Sequence, residues 1–121
     1  MKVGIILLSQ DNYYIDKDGN LPKRPKHDKK LLTELCRDQL FICSGNTFET
    51  LPKSIMDHAD YTEGRGGYDI NLGIKTLYTN PPHLLIVSRG AEYLHRGKHF
   101  SLQDYVQVFS SEYLELWIYS K

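Results

Sequence analysis

Runs of consecutive apolar residues mark four places in the chain where a β-strand is predicted. They read KVGIILLS (residues 2–9), QLFICS (39–44), HLLIVS (83–88) and YLELWIYS (113–120). Each run is short and contains β-branched or aromatic residues, which favours buried strands over helices. The pattern therefore predicts a β-sheet whose strands are buried on both faces.

Helical patterns lie between these runs. A helix is predicted from Asp28 to about Arg37, because its leucines fall on one stripe while Lys29, Lys30 and Glu34 lie outside that stripe. Asp28 lies four residues before Leu32, so its carboxylate is predicted to lie on the same inward stripe. Capping-box spacing at Asn46–Glu49 predicts the start of a second, short helix, and the same spacing at Ser101–Asp104 predicts a third over LQDYVQVF. The residues between the first strand and the first helix are dense in Asp, Asn, Gly and Pro, which predicts a long loop.

Strands that alternate with helices predict an α/β domain with a largely parallel central sheet, formed by residues 1–121 as one unit. Ligands of such sheets gather at the carboxyl ends of the strands. Residues 54–82 interrupt the alternation and are predicted to form an extended loop insertion, with a short strand at IKTLYT (74–79).

Composition narrows the class of protein. With 40% apolar and 25% charged residues and a net charge of zero, the chain resembles a soluble globular protein, and no overall field favours nucleic acid or an anionic membrane. Its basic stretch, residues 23–30, is predicted to be a solvated loop that enters the helix rather than a phosphate-binding patch. Cys36 and Cys43 do not stand at metal-ligand spacing, so no metal site is predicted, and the expected compartment is the reducing cytoplasm.

One long segment, NLPKRPKHDKKLLTELCRDQLFICSGNTFETLP, resembles the core signature of dihydrofolate reductases. Leu21-Pro22 matches the family's Leu-Pro, Asp28 falls at its acidic residue in the first turn of a helix, and Thr47-Phe48 falls at its Thr-Trp. GIILLSQDNYYI, HLLIVSR and SLQDYVQVF followed by LELWIYS extend the resemblance over most of the chain outside 54–82. The implied fold is the family's three-layer sandwich.

The resemblance also implies roles for individual residues. Asp28 would be the catalytic acid that relays a proton to a pterin ring; the alternative from the residues alone is that Asp28 only complements the dipole of its helix. The residues that would contact the cofactor NADPH are Thr47, Ser88 and Arg89. The residues that would contact the substrate are Ile5, Leu32 and Phe48.

Departures from the family pattern argue against hydride transfer. Where the family has a Gly-Gly pair and a helix that cradles the cofactor pyrophosphate, this sequence has Ser120 and Lys121. Gly45 and Asn46 stand in place of an arginine that clamps an adenosine phosphate, and Ile15-Asp16 stands in place of an Ile-Gly pair. These losses together make NADPH binding an open question.

The sequence also lacks the segment that, in the family, supplies strands beyond the first strand. We therefore expect the first strand at the sheet edge, where it would be covered by the 54–82 loop or would pair with another chain. Two functions follow. The favoured one is a dihydrofolate-reductase-like protein, catalytically impaired or inactive, that binds a protein partner or forms a homodimer through Val3–Leu8 or the 54–82 loop, as a phage or mobile-element protein would. The alternative is a minimal NADPH-dependent dihydrofolate reductase.

Overall fold

The computed structural model describes residues 2–15, 26–36, 40–42, 60–61, 77–79, 81–89 and 96–121. The one helix with described bounds is α1 (Lys26–Cys36). The strands are β1 (Lys2–Leu8), β2 (Tyr13–Ile15), β3 (Leu40–Ile42), β4 (Asp60–Tyr61), β5 (Leu84–Arg89), β6 (Arg96–His99), β7 (Tyr105–Ser110) and β8 (Leu114–Tyr119). The strands predicted from the four apolar runs and the first predicted helix are thereby confirmed, with α1 beginning two residues earlier than predicted.

The sheet is mixed rather than largely parallel. Its strand order is β4-β3-β1-β5-β8-β7, and β2 pairs with both β1 and β6 beside this path. Parallel pairs join β1 to β3 and β5, and β3 to β4, whereas β8 runs antiparallel to both β5 and β7. The last strands are antiparallel because β7 and β8 form a hairpin, which needs only a short turn instead of a helical crossover. With α1 on one face, the architecture is α/β.

The expectation that the first strand lies at the sheet edge is wrong. β1 lies between β3 and β5 and is hydrogen-bonded to both. Its apolar run fits this central position, since residues 3–9 are all buried. A strand that is paired on both sides cannot accept a further strand from another chain.

The helix predicted over LQDYVQVF is also wrong, because residues 105–110 form β7. Instead of capping a helix, Ser101 accepts a hydrogen bond from the N–H of Gln103 at 3.4 Å, and the N–H of Tyr105 bonds the carbonyl of Leu102 at 3.0 Å. These contacts close a turn. Valines and aromatic residues follow it, favour an extended backbone and pair with β8 on both sides of an irregularity between Gln107 and Phe109.

The 54–82 segment differs from its prediction at residues 60–61 and 77–79. Residues 77–79 of IKTLYT are helical rather than extended, and a two-residue strand, β4, pairs with β3. Leu77 explains the helical turn, since it is only 2% exposed and packs against a face of the sheet, not along its edge. Farther along the chain, β6 is a strand that the sequence pattern did not predict.

Two clusters of apolar side chains cover the two faces of the sheet. Under α1, Leu32 packs against alternate residues of the central strands, including Val3, Ile5 and Ile86. The opposite cluster contains Ile6, Leu8, Leu77, Leu85, Val87, Phe100, Leu102 and Tyr105. Because neighbouring residues of a strand point to opposite faces, both faces of β1 and β5 are buried.

Gly4 is required where residues 77–82 cross β1. A Cβ at this position would lie 2.7 Å from Pro82 Cγ and 3.0 Å from Leu77 Cδ2. Real Cβ atoms do not approach other atoms this closely, so only glycine lets Leu77 and Pro82 pack directly on the strand. In the described part of the chain, no helix is long and apolar enough to cross a membrane.

Candidate functional site

The candidate site lies where β1 and β5 end and β8 begins. Asp28, in the first turn of α1, is fully buried there. The hydroxyl of Ser111, in the turn between β7 and β8, donates a hydrogen bond of 2.7 Å to Asp28 Oδ1. Ser111 is itself fixed, because its N–H bonds the carbonyl of Leu114 at 2.8 Å. The carboxyl group is thus held by the helix on one side and the hairpin turn on the other.

The amphipathic pattern of α1 explains why this carboxyl group points inward. Asp28 lies four residues before Leu32, which is fully buried in the cluster beneath the helix. Lys29 and Lys30, which follow Asp28, are exposed. The sequence-based placement of Asp28 on the inward stripe is therefore confirmed, whereas its catalytic role stays a prediction.

Arg89 is the centre of a second polar group, on the other face of the sheet. Its Nε and Nη2 donate to the two carboxylate oxygens of Glu115 at 3.0 and 2.9 Å. Its Nη1 donates to the carbonyl of Ser9 at 2.9 Å and to the side-chain oxygen of Asn12. Four of the five N–H groups of the guanidinium are thereby engaged within the protein. Arg89 ties β5 to β8 and to the turn after β1.

Glu115 is ionised in this arrangement. Burial alone raises the pKa of its carboxyl group, but hydrogen bonds from Arg89 and Trp117, together with the guanidinium charge, outweigh burial and leave the pKa below its usual range. Trp117 Nε1 donates to Glu115 Oε1 at 2.9 Å. The side chains of Arg89 and Glu115 are only 10% and 16% exposed, so the pair is largely shielded from water.

The turn between β1 and β2 directs two oxygen atoms towards the Arg89 guanidinium. Asn12 has a positive φ of 69°, a conformation that Asn tolerates better than most residues. Its N–H bonds the carbonyl of Ser9 at 3.1 Å, and the Ser9 hydroxyl accepts the N–H of Tyr13 at 2.9 Å. This conformation presents a carbonyl and an amide oxygen to the same guanidinium nitrogen.

The structure brings only some of the predicted site residues together. Ser88 and Arg89 are consecutive in β5 and so lie on opposite faces; the pairing of Ser88 with Leu114 puts Ser88 on the face that Asp28 occupies. Ser88 is 2% exposed. Ile5 and Leu32, predicted to contact substrate, are 1% and 0% exposed and belong to the core under α1.

Thr47 and Phe48, the remaining predicted site residues, lie outside the described residues, as do the predicted Leu21-Pro22 loop and the Asn46–Glu49 helix start. The assignments to cofactor and substrate therefore stay predictions. Among the described residues, no group of three or more His, Cys, Asp or Glu side chains is placed to hold a metal ion.

Sequence reasoning missed Ser111 and Glu115. Glu115 carried a usable signal, since it is the single charged residue within the apolar run LELWIY and a buried strand rarely holds a charge without a partner. Ser111 carried none. Its contact with Asp28 joins residues 83 positions apart and depends on residues 105–110 being a strand.

An exposed apolar strip lies along β7. Its members are Val106, Phe109 and Ile118, which are 53%, 41% and 46% exposed. Val106 pairs with Ile118 and Phe109 with Leu116, so all of them lie on the face that α1 covers farther along the sheet. In the part of the chain that the structure describes, β7 pairs with β8 alone. Among the described residues, the sheet therefore ends on this side with these exposed apolar side chains, here called the β7 strip.

Aromatic residues line a cavity of about 270 Å³ beside the start of β7. Tyr78 stacks on Phe100 with ring centroids 4.9 Å apart, and Tyr105 meets Tyr119 edge to face at 5.3 Å. The buried hydroxyl of Tyr105 has no hydrogen-bond partner among the described residues. Burial and, secondarily, the neighbouring Tyr119 and Asp104 raise the pKa of Tyr105 to about 12.

Comparison with known proteins assigns no family to this chain. No protein-family model matches the chain, and no curated protein matches it at a significant level.

Proposed function

We propose that this protein is a dihydrofolate-reductase-like scaffold that has lost reductase chemistry and acts by binding another protein. The observation that carries this proposal is the β7 strip, in which large apolar side chains stand exposed on the last strand of the sheet. Exposed apolar side chains that adjoin one another are typical of interaction surfaces, and a sheet edge adds unpaired backbone groups to them.

The reductase-like scaffold is supported by the order of elements around Asp28. The central strand β1, a helix with a buried aspartate in its first turn, and β3, which is parallel to β1, follow one another in the order that the resemblance implies, with the short strand β2 between β1 and the helix. The aspartate lies at the carboxyl ends of β1 and β5, where α/β sheets hold their ligands. The antiparallel hairpin β7–β8 completes the sheet on the other side.

The surroundings of Arg89 and Ser88 support the proposed loss of NADPH binding. Arg89 was expected to hold the nucleotide, but its pairing with Glu115, Ser9 and Asn12 leaves one N–H group for a ligand. A phosphate would have to displace Glu115, a fixed anion at hydrogen-bond distance. Ser88 is too buried to meet a cofactor without movement of the strand's neighbours.

The partner would bind at β7, not at the first strand. β1 is paired on both sides, whereas in the described part of the chain β7 is paired on one side only and carries the apolar groups of the β7 strip. An extended segment of a partner would add a strand beside β7 and cover Val106 and Phe109. Residues 105–110 contain neither proline nor lysine, two of the means by which natural proteins block such pairing, although the strand is irregular between Gln107 and Phe109.

The proposal is tested by capture of proteins on the immobilised chain from a lysate of the cells that make it. We expect captured proteins to be lost with Phe109→Lys and retained with Gln10→Lys, which places the same charge on an exposed turn residue away from β7. Identical capture by both variants contradicts binding at β7. Circular dichroism of both variants verifies that they are folded.

A minimal NADPH-dependent dihydrofolate reductase is the second candidate, and the Asp28–Ser111 hydrogen bond favours it. A buried carboxyl group with a fixed hydroxyl partner is suited to proton relay. Two assays test this candidate: dihydrofolate reduction, and quenching by NADPH of the fluorescence of Trp117, the only tryptophan. The candidate would be established, and the favoured function refuted, if the wild type reduces dihydrofolate and Asp28→Asn lowers the rate while NADPH still quenches the fluorescence. We expect neither turnover nor saturable quenching.

A further inference from the structure

We infer that the cavity beside the start of β7 binds a small organic cation that carries N–H groups, namely a protonated amine on an aromatic body. The described residues that line this cavity, here called the tyrosine cavity, include Tyr78, Phe100, Asp104, Tyr105, Tyr119 and Lys121. Phe100 and Tyr105 belong to the apolar cluster on the face opposite α1. The tyrosine cavity is therefore separate from the β7 strip, and the inference does not depend on the proposed protein binding.

The aromatic rings of the tyrosine cavity are held by contacts within the protein. The Tyr78 hydroxyl accepts the N–H of Ser101 at 2.8 Å, and the Tyr78 ring stacks on Phe100. Tyr105 and Tyr119 lie opposite each other in β7 and β8, and their rings meet edge to face. Aromatic rings pack well against an aromatic ligand, and their electron-rich faces attract cations.

The Tyr105 hydroxyl gives the tyrosine cavity a polar atom that lacks a partner. Tyr105 is 9% exposed, and its hydroxyl oxygen makes no hydrogen bond among the described residues. Leaving a buried polar atom unpaired is costly, and such atoms are uncommon in folded proteins. A ligand N–H that donates to this oxygen supplies the hydrogen bond that is missing, whereas a purely apolar ligand does not.

Charge decides the class of the ligand. Among the described lining residues, Asp104 is the only acidic one. Burial is the largest cause of the raised pKa of Tyr105, and the neighbouring Tyr119, Asp104 and Tyr78 raise that pKa further. Neighbours that oppose a negative charge on the hydroxyl favour a positive charge beside it. The surroundings of Tyr105 therefore suit a cation better than an anion.

Lys121 does not close the tyrosine cavity to another cation. Its ammonium group lies 4.0 Å from Asp104 Oδ1, and the side chains of Lys121 and Asp104 are 72% and 40% exposed. Ion pairs this exposed contribute little, so a ligand ammonium group can replace that of Lys121. The backbone of Asp104 is fixed, because its carbonyl accepts the N–H and the hydroxyl of Ser120 at 2.8 and 3.0 Å.

The size of the tyrosine cavity limits the ligand to a small molecule. Its volume of about 270 Å³ is below the range of about 300–1,000 Å³ in which pockets for drug-sized ligands fall. A suitable probe is 2-phenylethylamine, which joins one aromatic ring to one amino group. The amine is protonated at pH 7, as the ammonium group of lysine is.

An NMR titration of the ¹⁵N-labelled full chain with 2-phenylethylamine at pH 7 tests the inference. We expect saturable shifts of the backbone amides of residues 101–105, with a dissociation constant of about 1 mM or below. The neutral analogue 2-phenylethanol should bind about tenfold more weakly, because it lacks the charge that Asp104 attracts. Asp104→Asn should weaken amine binding by a similar factor, whereas Glu34→Gln, the matched change on an exposed residue of α1, should leave it unchanged.

Two further variants test the roles of the hydroxyl and of Lys121. Tyr105→Phe keeps the ring but removes the oxygen, and should weaken amine binding by about threefold or more. Lys121→Ala removes a competing cation and should strengthen it. The inference is overturned if no saturable shift appears up to about 20 mM amine, or if the alcohol binds as well as the amine. It is also overturned if Lys121→Ala weakens binding, since the cavity would then favour negative charge.

Discussion

The pair formed by Arg89 and Glu115 gives the sharpest test of how the described structure is held together. Arg89→Ala removes both donors to the Glu115 carboxylate and both donors to the turn at Ser9 and Asn12. Glu115 then keeps only the Trp117 N–H, and its side chain is 16% exposed in the wild type. Breaking a buried pair costs about 3–5 kcal/mol, and the partial exposure of Glu115 favours the lower end, about 3 kcal/mol of unfolding free energy.

The pH dependence of this cost follows from the pKa of Glu115. That pKa is lowered in the folded wild type, so the stabilisation by the pair is present above the ordinary value of about 4.5 and is lost as the pH falls through the folded pKa. In Arg89→Ala only burial and Trp117 act on the carboxyl group, so it takes up a proton at a higher pH than in the wild type. The difference in stability between the two proteins should therefore shrink as the pH falls below about 5.

Urea denaturation of wild type and Arg89→Ala at pH 7 and at pH 4 measures this difference. Lys30→Ala, which removes an exposed cation from α1, serves as the matched control and should cost less than about 0.5 kcal/mol at either pH. A cost for Arg89→Ala below about 1 kcal/mol at pH 7, or one that does not change with pH, would refute a buried ion pair. Such a result would instead favour the nucleotide-binding role that the resemblance predicts for Arg89.

Two further predictions concern packing and an unpaired hydroxyl. Gly4→Ala should lower the unfolding free energy by about 1–3 kcal/mol, because its Cβ would lie 2.7 Å from Pro82 Cγ. Pro82→Ala removes that atom, so in urea denaturation the double variant should lose less unfolding free energy than the sum of the two single variants. Strictly additive losses would count against the contact. Tyr105→Phe should be neutral or stabilise by up to about 1 kcal/mol, because the hydroxyl it removes has no partner among the described residues. The pKa of Tyr105 is raised from 10.0 to about 12, so its protonated form stabilises the fold below pH 10, and that contribution is lost as the pH rises towards 12. Between pH 10 and 12 the wild type should therefore lose more stability than Tyr105→Phe. Equal losses would show that Tyr105 is not buried as described.

The two polar groups illustrate different kinds of information in the sequence. The inward position of Asp28 followed from helical periodicity alone, because a residue four positions before a buried leucine lies on the same stripe. Its partner Ser111 could not be found in this way. The contact exists only because the β7–β8 turn returns to the first turn of α1, and no local pattern in the sequence encodes that approach.

Residues 101–110 show how a local signal can be overruled. A capping-box spacing predicted a helix, yet β7 pairs with β8 and Tyr105 packs into the core. A capping box would stabilise a helix only through one or two local hydrogen bonds. Pairing with a neighbouring strand instead satisfies a row of backbone N–H and C=O groups, and valines and aromatic residues favour the extended backbone. Residues 77–79 of the predicted strand at 74–79 are helical instead, and Leu77 packs over Gly4 on a face of the sheet.

By itself, the sequence determined which segments become the inner strands and the first helix, because continuous apolar runs and a leucine stripe must be buried whatever surrounds them. Only the tertiary structure decided the order and direction of the strands, and with them the central position of β1 and the exposed position of β7. Strand order depends on contacts between residues far apart in the chain, and such contacts leave no periodic trace in the sequence. The candidate interaction surface therefore moved from the first strand, which is the most apolar in sequence, to β7, which pairs with β8 alone among the described strands.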